Sequence, residues 1–301
     1  MMRDLALLAP HITPTTGNLY FVHATQGNTT NPGTSSVAPL STWAAAYAKC
    51  TANHGDVVVL MPGHTETLSA VTAGITLNIA GVQTVGLGWG YSIPSFTAAG
   101  VAIDAISITA PSNRISNIRV IGAALCTALV DLGALADNST IENCVFEQGA
   151  TPLAAITAVA GCHRFKILNN KFIGTAAGPD YTLSLEGVCH DWEFSNNLCD
   201  YSQSVGLDLA VVSLAANMCL GFLVDNNIAI GVDATFFDFN SSTGATTVAY
   251  DGIVCRNLIS ASTATANIDT LIDAGGAASI ENFGTDTPAE RGAWIPVTSP
   301  A

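Results

Sequence analysis

Seven short phrases between residues 115 and 282 decide the fold of this chain. Each phrase starts with an apolar residue, and all but one end in asparagine: ISN (115–117), IEN (141–143), ILN (167–169), FSN (194–196), VDN (224–226), VCR (254–256) and IEN (280–282). Their first residues follow one another at intervals of 26, 26, 27, 30, 30 and 26. A period of this length without a helical pattern inside it predicts a solenoid in which each repeat forms one coil.

A second phrase lies between the first ones and adds another strand to each coil. It places a polar or acidic residue after an apolar one: VDL (130–132), ITA (156–158), LSL (183–185), LDL (207–209), FDF (237–239) and IDA (272–274). A third strand is indicated just past the asparagines by Val120, Phe146, Phe172 and Ile259. Strands this short cannot pair within one repeat, so each pairs with its equivalent in the next. Because such crossovers are right-handed, the sequence predicts an all-β, right-handed single-stranded parallel β-helix. A propeller is excluded because its blades repeat every 40–50 residues or so.

The repeat also predicts which side chains stack. The residues that head the first phrase are expected to form one interior column: Ile115, Ile141, Ile167, Phe194, Val224, Val254 and Ile280. We expect the asparagines to hydrogen-bond from rung to rung and to adopt the left-handed turn conformation. Lys166 and Glu193 lie one coil apart, as do Arg164 and Asp191. Each pair is therefore expected to form an ion pair between neighbouring rungs.

The ends of the chain depart from the repeat. We divide the chain into an N-terminal arm (1–18), an entry strand, loop and capping helix (19–54), the β-helix (55–284) and a C-terminal tail (285–301). The helix is expected to begin after Ser41 and Thr42 and to continue to about Asn53. It would cover the open end of the solenoid, where strand edge and core are otherwise exposed.

Composition limits the partners. Nine Lys and Arg against 23 Asp and Glu give a net charge of −14, so a phosphate-backbone partner is not expected. The longest apolar stretch (205–224) is interrupted by Asp208, Ser213 and Asn217, so no membrane-spanning helix is expected.

Only 11% of the residues are charged, which predicts that side faces are covered by further copies in a homotrimer. Eight cysteines without a CxxC pair are expected to be buried thiols, and no cofactor is expected.

Three stretches resemble a known family: GDVVVLMPGHTET (55–67), IAGVQTVGLG (79–88) and TIENCVF (140–146). They are similar to pectin-lyase-like parallel β-helix proteins, and most similar to the structural β-helix proteins of tailed bacteriophages. The resemblance spans about residues 20–284 and implies the β-helix fold. It also implies a place in the virion.

Enzymes of this superfamily carry clustered aspartates on the outer face of one sheet. Lyases combine them with Ca²⁺ and an arginine, and hydrolases use them as an acid/base pair. The matching column here contains Asp131, Thr157, Ser184, Asp208, Asp238 and Asp273. Asp208 and Asp238 would be neighbours if the longer coils stay in register, and could then bind Ca²⁺ or share a proton. No arginine falls in this column, and the hydrolases' paired aspartates and Gly-His-Gly are missing. We therefore expect a solvated or interface face, with no catalytic residues and no metal.

Other motifs have a structural interpretation. His64 and Glu66 follow the first buried strand and are expected to form a turn. Cys162-His163 and Cys189-His190 lie one coil apart and offer zinc-ligand types. However, consecutive residues of an extended segment point to opposite faces, so structural stacking is favoured. The glycine-rich run 86–90 is a turn without a phosphate-binding helix behind it.

The function expected from these observations is non-enzymatic. We predict a bacteriophage capsid cement or decoration protein, a homotrimer that contacts the major capsid protein in the virion and is assembled in the host cytoplasm. The alternative is a tailspike-like protein that binds or degrades polysaccharide as a lyase or hydrolase. That alternative requires an aromatic-lined groove beside paired carboxylates, for which Trp192, Tyr181 and Tyr201 are the obvious candidates.

Overall fold

A computed structural model shows the chain as a right-handed parallel β-solenoid with three sheets around one core. It describes residues 15–69, 74–100, 104–123, 126–150, 154–177, 181–201, 211–213, 220–232, 237–238, 251–261, 272–273, 278–285 and 293–294. Each coil visits three sheets in turn, which we call sheets A, B and C. The parallel strands of the three sheets pair with their equivalents in neighbouring coils, so the predicted β-helix is confirmed.

The strands are numbered in chain order. Sheet A consists of β1 (Leu19–Val22), β2 (Val57–Leu60), β5 (Gln83–Gly86), β8 (Arg114–Ser116), β11 (Thr140–Glu142), β14 (Lys166–Leu168), β17 (Glu193–Ser195), β20 (Leu220–Asp225), β23 (Asp251–Cys255) and β26 (Ala278–Ile280). Sheet B consists of β3 (Thr65–Leu68), β6 (Ser95–Ala98), β9 (Arg119–Gly122), β12 (Val145–Ala150), β15 (Lys171–Ala177), β18 (Leu198–Asp200), β21 (Ile228–Val232), β24 (Leu258–Ala261), β27 (Phe283–Thr285) and the antiparallel β28 (Ala293–Trp294). Sheet C consists of β4 (Ile75–Leu77), β7 (Ile106–Ile108), β10 (Ala128–Leu132), β13 (Ala154–Ala158), β16 (Tyr181–Leu185) and β19 (Val211–Ser213), and β22 (Phe237–Asp238) pairs with β25 (Ile272–Asp273) in a separate two-stranded sheet.

A short helix packs at the N-terminal end of the solenoid. Helix α1 (Trp43–Tyr47) begins after Thr42, whose hydroxyl accepts the Ala45 N–H at 3.2 Å. Trp43 and Tyr47 are buried in the core. The predicted extension to Asn53 is wrong, because the helix ends at Tyr47 and Asn53 has a positive φ of 56°.

The interior column follows the predicted register through six of its seven members. Ile115, Ile141, Ile167, Phe194, Val224 and Val254 face one another on successive rungs and are all buried. The seventh assignment is wrong. Val254 pairs with Ser279, while Ile280 pairs with Cys255 and is 46% exposed.

Asparagines turn the corner from sheet A to sheet B and explain this slip. The first position of the corner has a positive φ in Asn117, Asn143, Asn169, Asn196, Asn226, Arg256 and Glu281. The next position is a buried asparagine from Asn170 onward. Its side-chain oxygen accepts the backbone N–H of the same position one rung earlier, at 2.9 Å between Asn170 and Asn197. The ladder continues through Asn227, Asn257 and Asn282. Asn282 is thus a ladder residue, which shifts Ile280 outward.

The described cysteines are free thiols, and the prediction that they are buried holds for all of them except Cys50 and Cys255, which are partly exposed. They are Cys50, Cys126, Cys144, Cys162, Cys189, Cys199 and Cys255. Burial raises the pKa of the Cys144 thiol to about 12, so it stays protonated at neutral pH. The described part of the chain contains no helix with the length and apolar character that a bilayer crossing requires.

One of the two predicted ion pairs forms. Lys166 Nζ lies 3.0 Å from Glu193 Oε2 on the neighbouring rung. Arg164 and Asp191 do occupy equivalent left-handed turns, but Arg164 reaches the opposite way and contacts Asp137 at 2.6 Å. The alignment of rungs over residues 160–200 is therefore right, and the partner of Arg164 is wrong.

Candidate functional site

The outer face of sheet C carries a column of polar residues. Ser107, Asp131, Thr157 and Ser184 face one another on four successive rungs. On the next rung Ser184 pairs with Val212.

The remaining acidic candidates lie further along the chain. Asp238 and Asp273 face each other as backbone neighbours in the two-stranded sheet of β22 and β25. Asp208 lies outside the described residues. The predicted neighbourhood of Asp208 and Asp238 therefore stays a prediction, and Asp131 is the acidic member of the four-residue column described above.

Asp131 is held by its neighbour on the next rung. The Thr157 hydroxyl donates to Asp131 Oδ1 at 2.7 Å. Thr157 is only 4% exposed, while Asp131 is half-buried. A buried donor of this kind fixes the orientation of the carboxylate and leaves its second oxygen for other partners.

Two further carboxyl groups interact electrostatically with Asp131 or with each other. Burial raises the pKa of Asp104, which lies three residues before Ser107, the residue that faces Asp131, and the negative charges of Asp131 and Glu186 raise it further. A hydrogen bond from the Ala128 N–H opposes the shift without cancelling it. Gly74 packs on the Asp104 backbone, since a Cβ there would lie 2.0 Å from the Asp104 carbonyl oxygen. Asp104 and Glu186 lie outside the repeated phrases, so the sequence analysis missed them.

Asp104 therefore holds its proton to higher pH than an ordinary aspartate, for reasons of burial and neighbouring negative charge. A carboxyl group with a raised pKa is suited to act as a proton donor. Ser107 continues the polar column on the preceding rung, and Ser184, on the rung after Thr157, is only 4% exposed.

The other candidate motifs are structural. His64 is fully buried, and its Nε2 lies 2.8 Å from Glu66 Oε1. The same Glu66 oxygen accepts the Trp43 N–H at 2.6 Å, so this pair ties the first sheet B strand to helix α1. His163 and His190 stack with ring centroids 5.0 Å apart, whereas Cys162 and Cys189 are fully buried in the core. Within the described ranges, no three His, Cys, Asp or Glu side chains form a group able to hold a metal ion.

The aromatic candidates lie elsewhere than predicted. Trp192 and Tyr201 are buried in the core, and Tyr181 is half-buried. They do not line an open groove. The exposed aromatic side chains of the described residues are Trp89 and Tyr91, in the loop between β5 and β6.

Comparison with known proteins identifies the fold. No protein-family model and no curated protein sequence matches the chain. Among solved structures, a pectin methylesterase in complex with a hexasaccharide superposes with a TM-score of 0.51 at 8% identity, covering 95% of this chain and 94% of that one. A rhamnogalacturonan lyase gives a TM-score of 0.47 at 16% identity, covering 81% and 69%. A Geobacillus virus E2 protein, ORF18, gives 0.34 at 11% identity, covering 83% and 59%.

This chain shares its fold with a pectin methylesterase. The prediction that the protein is not an enzyme is corrected by that finding, because this structural neighbour is an enzyme. The identity of 8% shows a shared fold and does not carry over catalytic residues.

Proposed function

We propose that this protein binds and hydrolyses polysaccharide on the outer face of sheet C. The observation that carries the proposal is a set of two carboxyl groups: Asp104, whose pKa is raised by burial and by the charge of Asp131, and Asp131, whose orientation is fixed by the Thr157 hydroxyl. The parallel sheet spaces its rungs by about 4.8 Å, which provides a flat, regular floor for an extended sugar chain. The hexasaccharide bound by the pectin methylesterase supports carbohydrate as the class of ligand.

The two carboxyl groups have complementary roles in this proposal. Protonated Asp104 donates its proton to the glycosidic oxygen while the bond from that oxygen to the anomeric carbon breaks. Ionised Asp131 removes a proton from a water molecule whose oxygen bonds to the same carbon. The net change is one water consumed per bond broken. Thr157 is a positioning residue, because its hydroxyl donates to Asp131 and does not need to reach the sugar.

Glu186 tunes the pair in the same proposal. Its negative charge adds to that of Asp131 in raising the pKa of Asp104. Glu186 is exposed and follows β16 directly, two residues past Ser184. Replacing its charge is therefore expected to make Asp104 a stronger acid that is less protonated at the working pH.

The experiment is a cleavage assay with a panel of polysaccharides that includes pectin, polygalacturonate, rhamnogalacturonan and neutral galactan. Mass spectrometry of the products should show shorter chains that have gained one water per bond. Asp131→Asn and Asp104→Asn should each lower the rate by a factor of about 100 or more, the usual contribution of one acid or base. Asp251→Asn removes an exposed carboxylate from sheet A and serves as the matched control.

Two results would overturn this proposal. One is cleavage that proceeds unchanged in both the Asp104 and Asp131 variants. The other is a folded protein that leaves every member of the panel intact. Products with an unsaturated sugar end would replace hydrolysis by elimination. The virion location, the trimer and the capsid partner stay predictions from the sequence.

A further inference from the structure

The loop between β5 and β6 holds two aromatic side chains in solvent. Trp89 is 87% exposed and Tyr91 is 102% exposed, the highest value among the exposed large apolar side chains of the described residues. The other tryptophans whose side chains are described, Trp43 and Trp192, are both buried. Aromatic side chains contribute strongly to stability when buried, so two exposed rings separated by a single residue indicate a binding role.

The loop that carries these rings is held by its own hydrogen bonds. The Trp89 N–H donates to Ser92 Oγ at 3.1 Å, and the Ser92 hydroxyl donates back to the Trp89 carbonyl at 2.9 Å. The Gly63 N–H donates to the Ser92 carbonyl at 2.7 Å. From the next rung, Asn117 Nδ2 donates to the Gly88 carbonyl at 3.1 Å. The loop is therefore anchored on both neighbouring rungs.

Glycines give the loop a shape that turns the rings outward. Gly88 has a φ of +105°, and a Cβ at this position would lie 2.6 Å from the Ser92 carbonyl oxygen. Gly90, between the two rings, has a φ of +59°. Both values belong to the left-handed region that glycine adopts most readily. A rigid backbone that presents the rings before a ligand arrives lowers the entropic cost of binding.

We propose that Trp89 and Tyr91 form a binding surface for a neutral glycan. The face of an aromatic ring carries a partial negative charge, so it attracts the C–H groups on the flat face of a pyranose ring. The net charge of −14 disfavours an anionic ligand and favours a neutral one.

The size of the surface fits sugar rings better than a protein partner. Two aromatic side chains bury about 300 to 500 Å² together, whereas a stable protein interface needs about 800 Å² from each partner. The loop residues that hold the rings are glycine, serine and asparagine, which do not extend the apolar area. One or two sugar rings match this area.

This surface is separate from the carboxylates. The loop lies at the corner between sheets A and B, and sheet C forms the remaining side of the coil. Trp89 and Tyr91 therefore hold the polymer without taking part in its cleavage. The inference rests on the proposed function for the class of ligand and not for the position of the site.

The experiment is affinity electrophoresis of the full chain through gels that contain dextran, amylose or neutral galactan, with polygalacturonate as the anionic control. At least one neutral polymer should retard the intact protein. Trp89→Ala and Tyr91→Ala should each weaken binding by about tenfold or more, as the loss of one stacking ring does in nucleic-acid binding. Trp89→Phe should keep most of the binding. Val37→Ala, which trims another exposed apolar side chain, is the matched control.

Three results would overturn the inference: no retardation by any neutral polymer, retardation by polygalacturonate alone, or unchanged retardation of the Trp89 and Tyr91 variants. Light scattering supplies a further check, because a lower molar mass of Trp89→Ala would show that the rings contact another copy of the chain. Ring-dependent binding without cleavage would support this inference and contradict the proposed hydrolysis. Cleavage that depends on Asp131, with ring-independent binding, would do the reverse.

Discussion

The early and late coils fill the corner between sheets A and B with different kinds of side chain, apolar or weakly polar in the early coils and amide in the late ones. At the second position of the corner between sheets A and B, the early coils place Ile118 and Cys144, which are apolar or weakly polar and buried. The later coils place Asn170, Asn197, Asn227, Asn257 and Asn282 there, equally buried. The outer face of sheet B changes in the opposite sense: one column on consecutive rungs runs from Arg119, Val145 and Lys171 to Leu198, Ile228 and Leu258, so its charged members lie in the early coils only.

The early and late coils keep their strands aligned from rung to rung in different ways. In the early coils the corner is filled by packing, and charged pairs such as Arg119 with Glu147 lie outside at 2.6 Å. In the later coils a ladder of amides fixes the corner from inside, which leaves the outer face free to be apolar. Ile228 and Leu258 are 42% and 45% exposed. Polar groups inside and apolar groups outside are consistent with a partner surface on the late coils.

Breaking the amide ladder should have the largest effect on stability. Asn197→Ala removes the acceptor of the Asn170 N–H and the donor to the Ile167 carbonyl, both buried. We expect the free energy of unfolding to fall by about 4 kcal/mol, since each buried polar group left unpaired costs about 1–3 kcal/mol. The equivalent change in an early coil, Cys144→Ala, should cost about 1 kcal/mol. Urea unfolding measures both, and equal losses would contradict the distinction between the two halves.

Substitutions in the interior column should have the next largest effect on stability. Ile167→Ala creates a cavity in a fully buried position and should cost about 2–5 kcal/mol. Ile280→Ala changes a side chain that is 46% exposed and should cost under about 0.5 kcal/mol. A large loss at Ile280 would restore the register in which it heads the last rung of the column, against the pairing of Ser279 with Val254.

The apolar outer face of the late coils should mediate self-association. We expect light scattering to show an oligomer of the intact chain, with a trimer as the predicted size. Ile228→Glu introduces a charge on the exposed column and should shift the population to the monomer. Val37→Glu, at an exposed position in the N-terminal loop, is the control and should leave the oligomer intact. A monomeric intact protein would contradict this use of the apolar face.

Asp56, near the N-terminal end of the solenoid, should make the stability of the protein sensitive to acid. Burial opposes the ionisation of Asp56, but hydrogen bonds from His54 and from the Asn18 and Thr51 N–H groups outweigh it and lower its pKa. Because the folded pKa lies below the unfolded value of about 3.9, this contribution is present above that pH and is lost as pH falls through the folded pKa. Asp56→Asn should flatten the stability profile in that range in pH-dependent urea unfolding. An unchanged slope of the free energy of unfolding against pH would show that Asp56 is not the source of this acid sensitivity.

The surface ion pair should have the smallest effect. Lys166→Ala removes the 3.0 Å contact with Glu193 between two rungs of sheet A. The lysine side chain is 52% exposed, so the expected loss is about 0–1 kcal/mol. The measurement is again urea unfolding, now at low and high salt. A loss above about 2 kcal/mol would show that this pair does more than align neighbouring rungs.

The sequence period predicted those features of the fold that recur in every coil. The intervals of 26 to 30 residues were enough to predict three strands per coil, the right-handed winding and six of seven interior positions. The slip at Ile280 arose because the last phrase contains one asparagine, and the pattern does not show whether it forms the turn or the ladder. Asp104 was missed because its role depends on burial and on charges from two other coils, which no local pattern contains. Trp89 was assigned to a turn and Tyr91 was not singled out, because exposure is a property of the folded chain.

The central functional claim is that the negative charge of Asp131 acts on Asp104 and raises its pKa. The most direct test is an NMR titration of the Asp104 carboxyl carbon in the intact protein and in the Asp131→Asn variant. We predict that the pKa of Asp104 lies above the ordinary aspartate value in the intact protein and falls in the variant, because burial still raises it there but the negative charge of Asp131 is gone. An Asp104 that titrates at the ordinary value, or whose titration is the same in both proteins, would contradict the account.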